Sequence, residues 1–276
     1  YKIRHSLAHV LAMALRKRDP GVILATGPVT DDGVFYDVRF SEGGSISPDD
    51  FKKIESDMRG IIARKLPFVR RIVTTDEAKT LFKKNPFKME IIEELEKRSA
   101  EITVYETGDS GSEIGFTDLC EGPHVGSTGE IDPGSFQLKG IAGAYWHGDE
   151  KNEMLVRISG VAFATKEELD THLSALEEAK KRDHKRLGAE LDLFFIDEEV
   201  GKGLPMWTPK GTAVKFALED MTRNLERKYG YEHVCTPYLG SDRLYKTSGH
   251  LDHYRENMYA PIDMDGDLFY LRPMAC

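Results

Sequence analysis

Two histidines four residues apart open the chain in "HSLAH" (residues 5 to 9), and a cysteine and a histidine at the same spacing recur in "DLCEGPH" (118 to 124). Four residues is just over one helical turn, so on a helix His5 and His9 project from one face, with Cβ atoms roughly 6 Å apart, and can converge on a single atom. Cys120 and His124 flank a Gly-Pro turn and could meet them from the other side. Three imidazoles and a thiolate are a sufficient tetrahedral zinc set. Neutral imidazoles around a water serve equally as a hydrolytic site, because imidazole accepts a proton near neutral pH. Residue types and spacing leave the two open. The glutamate of "HExxH" is missing between the histidines, which argues against a metalloprotease.

The elements that must position these groups follow from periodicity. Ile3, Leu7, Val10, Leu11 and Leu15 recur at helical spacing, and "RDPG" (18 to 21) ends that run, so His5 and His9 are expected on a helix. "GVFYDVRF" (33 to 40) alternates like a strand, and "SPDDFKKIESDMRGIIARKL" opens with a cap and a proline before a helical period. "FVRRIVTT" reads as strand, "TDEAKTLFKK" and "FKMEIIEELEKRS" as helices, and "EITVYET", "IGFTDL", "FQLKGIAGAYW" and "EMLVRISGVAF" as strands between glycine-rich turns. The expected class is α+β, with an antiparallel sheet covered by helices. A charged helix over 165–188, capped by Thr165, reads as a connector between a domain at 1–164 and another at 189–276. In the latter, "GTAVKFALEDMTRNLERKYGY" is a helix stopped by Gly230, followed by an expected strand "EHVCTP" holding Cys235 as a buried structural thiol.

Composition bounds the function. A net charge of −9 excludes wholesale coating by nucleic acid and leaves only local basic patches, such as "KKRDHKR" (180 to 186). No stretch reaches the apolar length of a membrane span and no signal pattern opens the chain, so the cytoplasm is the expected compartment. Three widely spaced cysteines give no disulfide framework. Tyr1 in place of Met, and Cys276 directly after "LFYLRPMA", lead us to expect a piece of a longer protein.

The segments "HSLAHVLAMAL", "GVFYDV", "FKMEII", "DLCEGPHV", "AGAYWHGDEKNEMLVRISGVAF", "ELDLF", "GKGLPMWTPKG" and "YLRPMAC" resemble, in order and spacing, those of the threonyl-tRNA synthetases. The resemblance implies an editing domain linked by a helix to the start of a class II antiparallel-sheet domain. It further implies ATP-dependent attachment of threonine to tRNA(Thr), with hydrolysis of mischarged Ser-tRNA(Thr). By the same resemblance His5, His9, Cys120, His124 and Lys88 are the catalytic set of the editing site, with His5 orienting or deprotonating the water. Tyr36 and Asp118 bind substrate, Asp118 through its amino group, and no metal is expected at that site. ATP with Mg2+, and a zinc first held by Cys276, belong to the aminoacylation site of the complete enzyme. Ala275 departs from the asparagine of the family's "RPMNC", and the arginines that clamp ATP lie beyond Cys276, so these residues alone are not expected to form threonyl-adenylate. The helix "GTAVKFALEDMTRNLERKYGY" resembles motif 1, which implies a homodimer with Val214, Phe216, Leu218, Met221 and Leu225 as a buried face. The alternative is a free-standing trans-editing aminoacyl-tRNA hydrolase of the zinc-dependent alanyl type, against which the motif 1 and "YLRPMAC" segments argue.

Overall fold

The computed structural model describes residues 1–108 and 115–274, and the chain divides into two compact units, Tyr1–Arg182 and Asp183–Cys276. Unit 1 begins with α1 (Lys2–Arg18), β1 (Ile23–Thr26), β2 (Gly33–Arg39) and α2 (Phe51–Ala63). It continues through β3 (Phe68–Val73), α3 (Thr75–Phe82), α4 (Pro86–Lys97), β4 (Ile102–Thr107) and β5 (Phe116–Leu119), then β6 (Phe136–Tyr145), β7 (Met154–Ala162) and α5 (Lys166–Lys181). Two antiparallel sheets result, one in the order β1-β2-β7-β6 and one in the order β3-β4-β5. Mixed helices and antiparallel sheets make the unit α+β.

Why α1 becomes the centre of unit 1 is visible in its sequence. Every residue from Ser6 to Leu15 is buried, so the helix is enclosed on all sides rather than amphipathic. Leu7, Leu11 and Leu15 share one core with Val34 and Val38 of β2, Ile54 and Met58 of α2, and Ile158 of β7. A helix this buried holds its side chains to fixed directions, which two ligand-like histidines require. The start of α4 is fixed differently. Asn85 caps it by accepting from the N–H of Lys88, Pro86 fits the first turn, and the Asn85 amide donates to the Leu24 carbonyl of β1 at 2.8 Å.

Unit 2 contains α6 (His184–Glu190), β8 (Phe194–Ile196), β9 (Pro205–Trp207) and α7 (Pro209–Lys228). After these come β10 (Leu239–Ser241), α8 (Asp242–Thr247), α9 (His250–His253), β11 (Ile262–Met264) and β12 (Asp267–Leu271). β8 pairs with β9, and β10, β12 and β11 form a three-stranded antiparallel sheet.

Three expectations are corrected. The connector is not one helix: α5 ends at Lys181, and Asp183 starts α6 anew by accepting from the N–H groups of Lys185 and Arg186 at 2.9 and 3.1 Å. "EHVCTP" is not a strand, because no described strand lies beside it to pair its backbone, and the nearest strand begins at Leu239. Cys235 is exposed rather than buried for the same reason. Val214, Phe216, Leu218, Met221 and Leu225 are about half exposed in the single chain, so they are not packed into a core of unit 2.

Candidate functional site

Cys120 is the hub of the first cluster. Its Sγ lies 3.2 Å from Nε2 of His5 and 3.2 Å from Nε2 of His124, and it accepts from the N–H of Gly122 at 3.3 Å. His9 completes the group: donor atoms of His5, His9, Cys120 and His124 all lie within 4.8 Å of one another. The remote helix and the distant turn therefore meet. The turn is held open to one residue type, because Gly122 has φ +80 and a Cβ there would sit 2.4 Å from the Tyr105 hydroxyl. His124 is wedged between aromatic rings, stacked on Phe68 with centroids 4.9 Å apart and edge-on to Tyr105 at 4.4 Å.

Behind His9 sits a buried polar network. Asp118 faces inward from β5 with Phe116, in the alternating pattern of a half-buried strand. Its Oδ1 is 2.6 Å from Lys88 Nζ, and its Oδ2 accepts from the Tyr36 hydroxyl at 2.5 Å, while His9 Nε2 lies 3.8 Å from Oδ2. Lys88, Asp118, Tyr36 and His9 are all buried. Both Asp118 oxygens are thus engaged inside the protein, and its expected contact with a substrate amino group would have to compete with Lys88 or Tyr36. Lys88 uses one of three N–H groups on Asp118, leaving donors for a bound ligand.

The charge states are set by burial. Loss of water lowers the pKa of His5, and lowers that of His9 further, with His5 and Lys88 as added positive neighbours. His124 is brought down to about 2, first by burial and then by His9 and His5. Burial pushes the Cys120 thiol up to about 12, the Gly122 N–H offsetting part of the rise. Tyr36 is raised well above 10 by burial and then by Asp118. At neutral pH the cluster is three neutral imidazoles, a neutral thiol and a phenol beside a lysine–aspartate pair. With its thiol held in the un-ionised form at pH 7, Cys120 is a poor nucleophile. A neutral imidazole remains free to accept a proton.

The donor spacing also fits a metal. A tetrahedral zinc with Zn–N of about 2.0–2.1 Å and Zn–S of about 2.3 Å sets its ligands roughly 3.4–3.6 Å apart. The 3.2 Å separations are close to that edge. Cys276, the expected zinc ligand of the aminoacylation site, and its neighbour Ala275 lie outside the described residues.

Reading the sequence found the four hub residues by spacing, and Lys88, Tyr36 and Asp118 by resemblance. It passed over Ser6, Phe68 and Tyr105, which touch His124. A signal existed for Ser6 alone, a hydroxyl at the head of an otherwise apolar buried run from Leu7.

Residues 102–159 match the family described as the threonyl and alanyl tRNA synthetase second additional domain. Threonine–tRNA ligases of Streptococcus thermophilus and Streptococcus mutans serotype c are each 47% identical over 275 residues, or 99% of this chain and 41% of theirs. A crystal structure of the RNA binding domain of threonyl-tRNA synthetase from Cryptosporidium parvum Iowa II is 41% identical, with a TM-score of 0.32, over 34% of this chain and 23% of that one. The chain spans 41% of the length of the curated relatives it matches. Along nearly its whole length the chain resembles a segment of the threonyl-tRNA synthetases, and within that segment residues 102–159 match the second additional domain of the threonyl and alanyl enzymes.

Proposed function

We propose that unit 1 is the proofreading hydrolase of a threonine–tRNA ligase, removing serine wrongly esterified to tRNA(Thr). The observation that carries this is the meeting of His5, His9, Cys120 and His124 beside Lys88, Asp118 and Tyr36, within a unit that includes the matched second additional domain. Such an enzyme needs a second site because one methyl group separates threonine from serine, worth only about 1–3 kcal/mol in a binding pocket.

In this reading a water adds to the ester carbonyl and the acyl carbon–oxygen bond to the terminal ribose breaks. His5, the least buried of the three rings, takes the water's proton and returns it to the departing ribose hydroxyl. The two free N–H groups of Lys88 stabilise the oxyanion in surroundings where a charged donor is worth more than in water. Asp118 and Tyr36 hold that ammonium in place. Cys120 and His124 shape the wall that receives the seryl group and terminal adenosine.

A second reading rests on the donor spacing. His5, His9, Cys120 and His124 would hold zinc as in an alanyl-type hydrolase, and the ion would supply a Lewis acid. Zinc content of the purified protein separates the two.

We further propose that unit 2 begins the class II aminoacylation domain of the complete enzyme. That enzyme would bind ATP with Mg2+, threonine and tRNA(Thr), carry a zinc on Cys276, and dimerise through α7. The support for dimerisation is that Val214, Leu218, Met221 and Leu225 repeat at helical spacing and lie exposed in the single chain. The proposal for unit 1 is tested by loading tRNA(Thr) with serine or threonine and following deacylation by this chain. Serine should be released faster by at least tenfold; equal rates, or none, would reject the proofreading assignment.

A further inference from the structure

Ser6 lies between the two histidines of α1 and is fully buried. Its hydroxyl oxygen has two partners: the N–H of Val125, which donates to it at 3.1 Å, and His124 Nδ1 at 3.1 Å. The hydroxyl's own proton therefore has one acceptor among these contacts, the lone pair of Nδ1. A ring carrying hydrogen on Nδ1, whether neutral or cationic, would leave the Ser6 proton without a partner in a site shut off from water. An unmade hydrogen bond on a buried hydroxyl is costly. Such an accounting of donors and acceptors is how a ring tautomer is assigned.

We propose that Ser6 is a positioning residue that donates to His124 Nδ1, holds neutral His124 with its proton on Nε2, and so gives His124, Cys120 and His5 one hydrogen-bond direction. From His124 the Nε2–H points at Cys120 Sγ, 3.2 Å away. That sulfur already accepts from Gly122, so its single proton is left for Nε2 of His5 at 3.2 Å. Donors then run from Ser6 to His124 to Cys120 to His5. The series ends on the lone pair of His5. A thiol is a weak donor, and a water arriving at His5 displaces it easily.

The same arrangement works against a metal. Zinc needs a bare lone pair on His124 Nε2, where Ser6 places a hydrogen. Binding the ion requires the ring to change tautomer, which strands the Ser6 proton. The usual partner behind a zinc-bound histidine does the reverse, accepting from the other ring nitrogen and strengthening the site. Removing Ser6 thus has opposite consequences for zinc under the two arrangements. The tautomer is a property of the resting protein and does not depend on the deacylase proposal.

The test is nitrogen-15 spectroscopy of the imidazoles in the 276-residue chain, with His124 assigned by its loss in a His124→Gln variant. A bare Nδ1 and a protonated Nε2 on His124 are expected, retained in Ser6→Thr and lost to a mixture in Ser6→Ala. Because Ser6→Ala also deprives Val125 of an acceptor, its spectrum is recorded only where chemical denaturation shows it folded, and Ser6→Thr carries the comparison otherwise. Hydrogen on Nδ1 of His124 in the unaltered protein, or a Ser6→Thr protein with the opposite tautomer, would overturn the assignment. Zinc titration gives an independent sign: Ser6→Ala should bind zinc roughly tenfold more tightly than the unaltered protein. Binding weakened by tenfold or more would instead make Ser6 an ordinary support of a metal ligand. A protein with the expected tautomer that releases no serine from tRNA would retire the hydrolase reading and leave the role of Ser6 intact.

Discussion

Unit 1 and unit 2 differ in where their apolar residues go. All three hydrophobic clusters of the described residues lie within unit 1, and its central helix is buried from Ser6 to Leu15. In unit 2 the large buried side chains are Tyr245 and Tyr270, whereas Trp207, Leu218, Met221, Leu225 and others lie open. Apolar surface of that extent is more than a self-sufficient monomer usually leaves open. The lesson is that the candidate site sits where packing is complete. Rings held 3.2 Å from a sulfur, and a lysine pressed against an aspartate, need surroundings that do not move.

That contrast can be broken in measurable steps, and the two tryptophans help, since Trp146 belongs to unit 1 and Trp207 to unit 2. A Trp207→Phe background makes fluorescence report unit 1 alone. The largest loss is expected from Lys88→Ala, which strands the buried Asp118 charge: about 3–5 kcal/mol from the unfolding free energy of unit 1 in urea. A Lys88→Ala protein as stable as its parent would mean that Asp118 finds water, and that the network is more open than its burial indicates. Next comes Leu11→Ala, with about 2–5 kcal/mol lost by the same measurement, because the tightly packed core leaves a cavity. A loss under 1 kcal/mol would put α1 outside a rigid core.

Acid should reach unit 1 before the carboxylates titrate. His9 and His124 have folded pKa values held below 6.5 by burial, so between those values and 6.5 the unfolded chain binds protons that the folded chain does not. Stability is then present above pH 6.5 and declines as pH falls, by up to about 1.4 kcal/mol per pH unit for each ring. Urea unfolding at pH 7 and pH 5 reads this; equal midpoints would show the rings to be solvated. The smallest effect is expected in unit 2, where Leu218→Ala on an exposed face should change the unfolding free energy of the single chain by no more than about 0.5 kcal/mol. A loss like that of Leu11→Ala, appearing only at concentrations where the protein is dimeric, would sharpen the contrast by showing what covers α7.

The legibility of the two units follows the same division. Helical spacing placed His5 and His9 on one face, and "IGFTDL" read as the strand that carries Asp118, because a complete core enforces both periods. Local signals failed where pairing or capping decides: "EHVCTP" has strand-forming residues but no described strand to pair with, and Asp183 restarts a helix within an unbroken charged run. The Tyr36–Asp118–Lys88 network joins three elements with no shared spacing, so only the family resemblance pointed to it. Ser6 shows another limit. Its residue type is visible in "HSLAH", but its role depends on Val125 and His124, more than a hundred residues away.

The proposed hydrolysis needs a neutral imidazole to act on water at the meeting point of α1 and the 120–124 turn. The direct test is release of serine from Ser-tRNA(Thr) by the purified protein in the presence of a metal chelator, with and without His5→Ala. Turnover that survives the chelator and falls by about 10²–10⁴-fold in His5→Ala is expected. Turnover abolished by the chelator, or unchanged in His5→Ala, would contradict it.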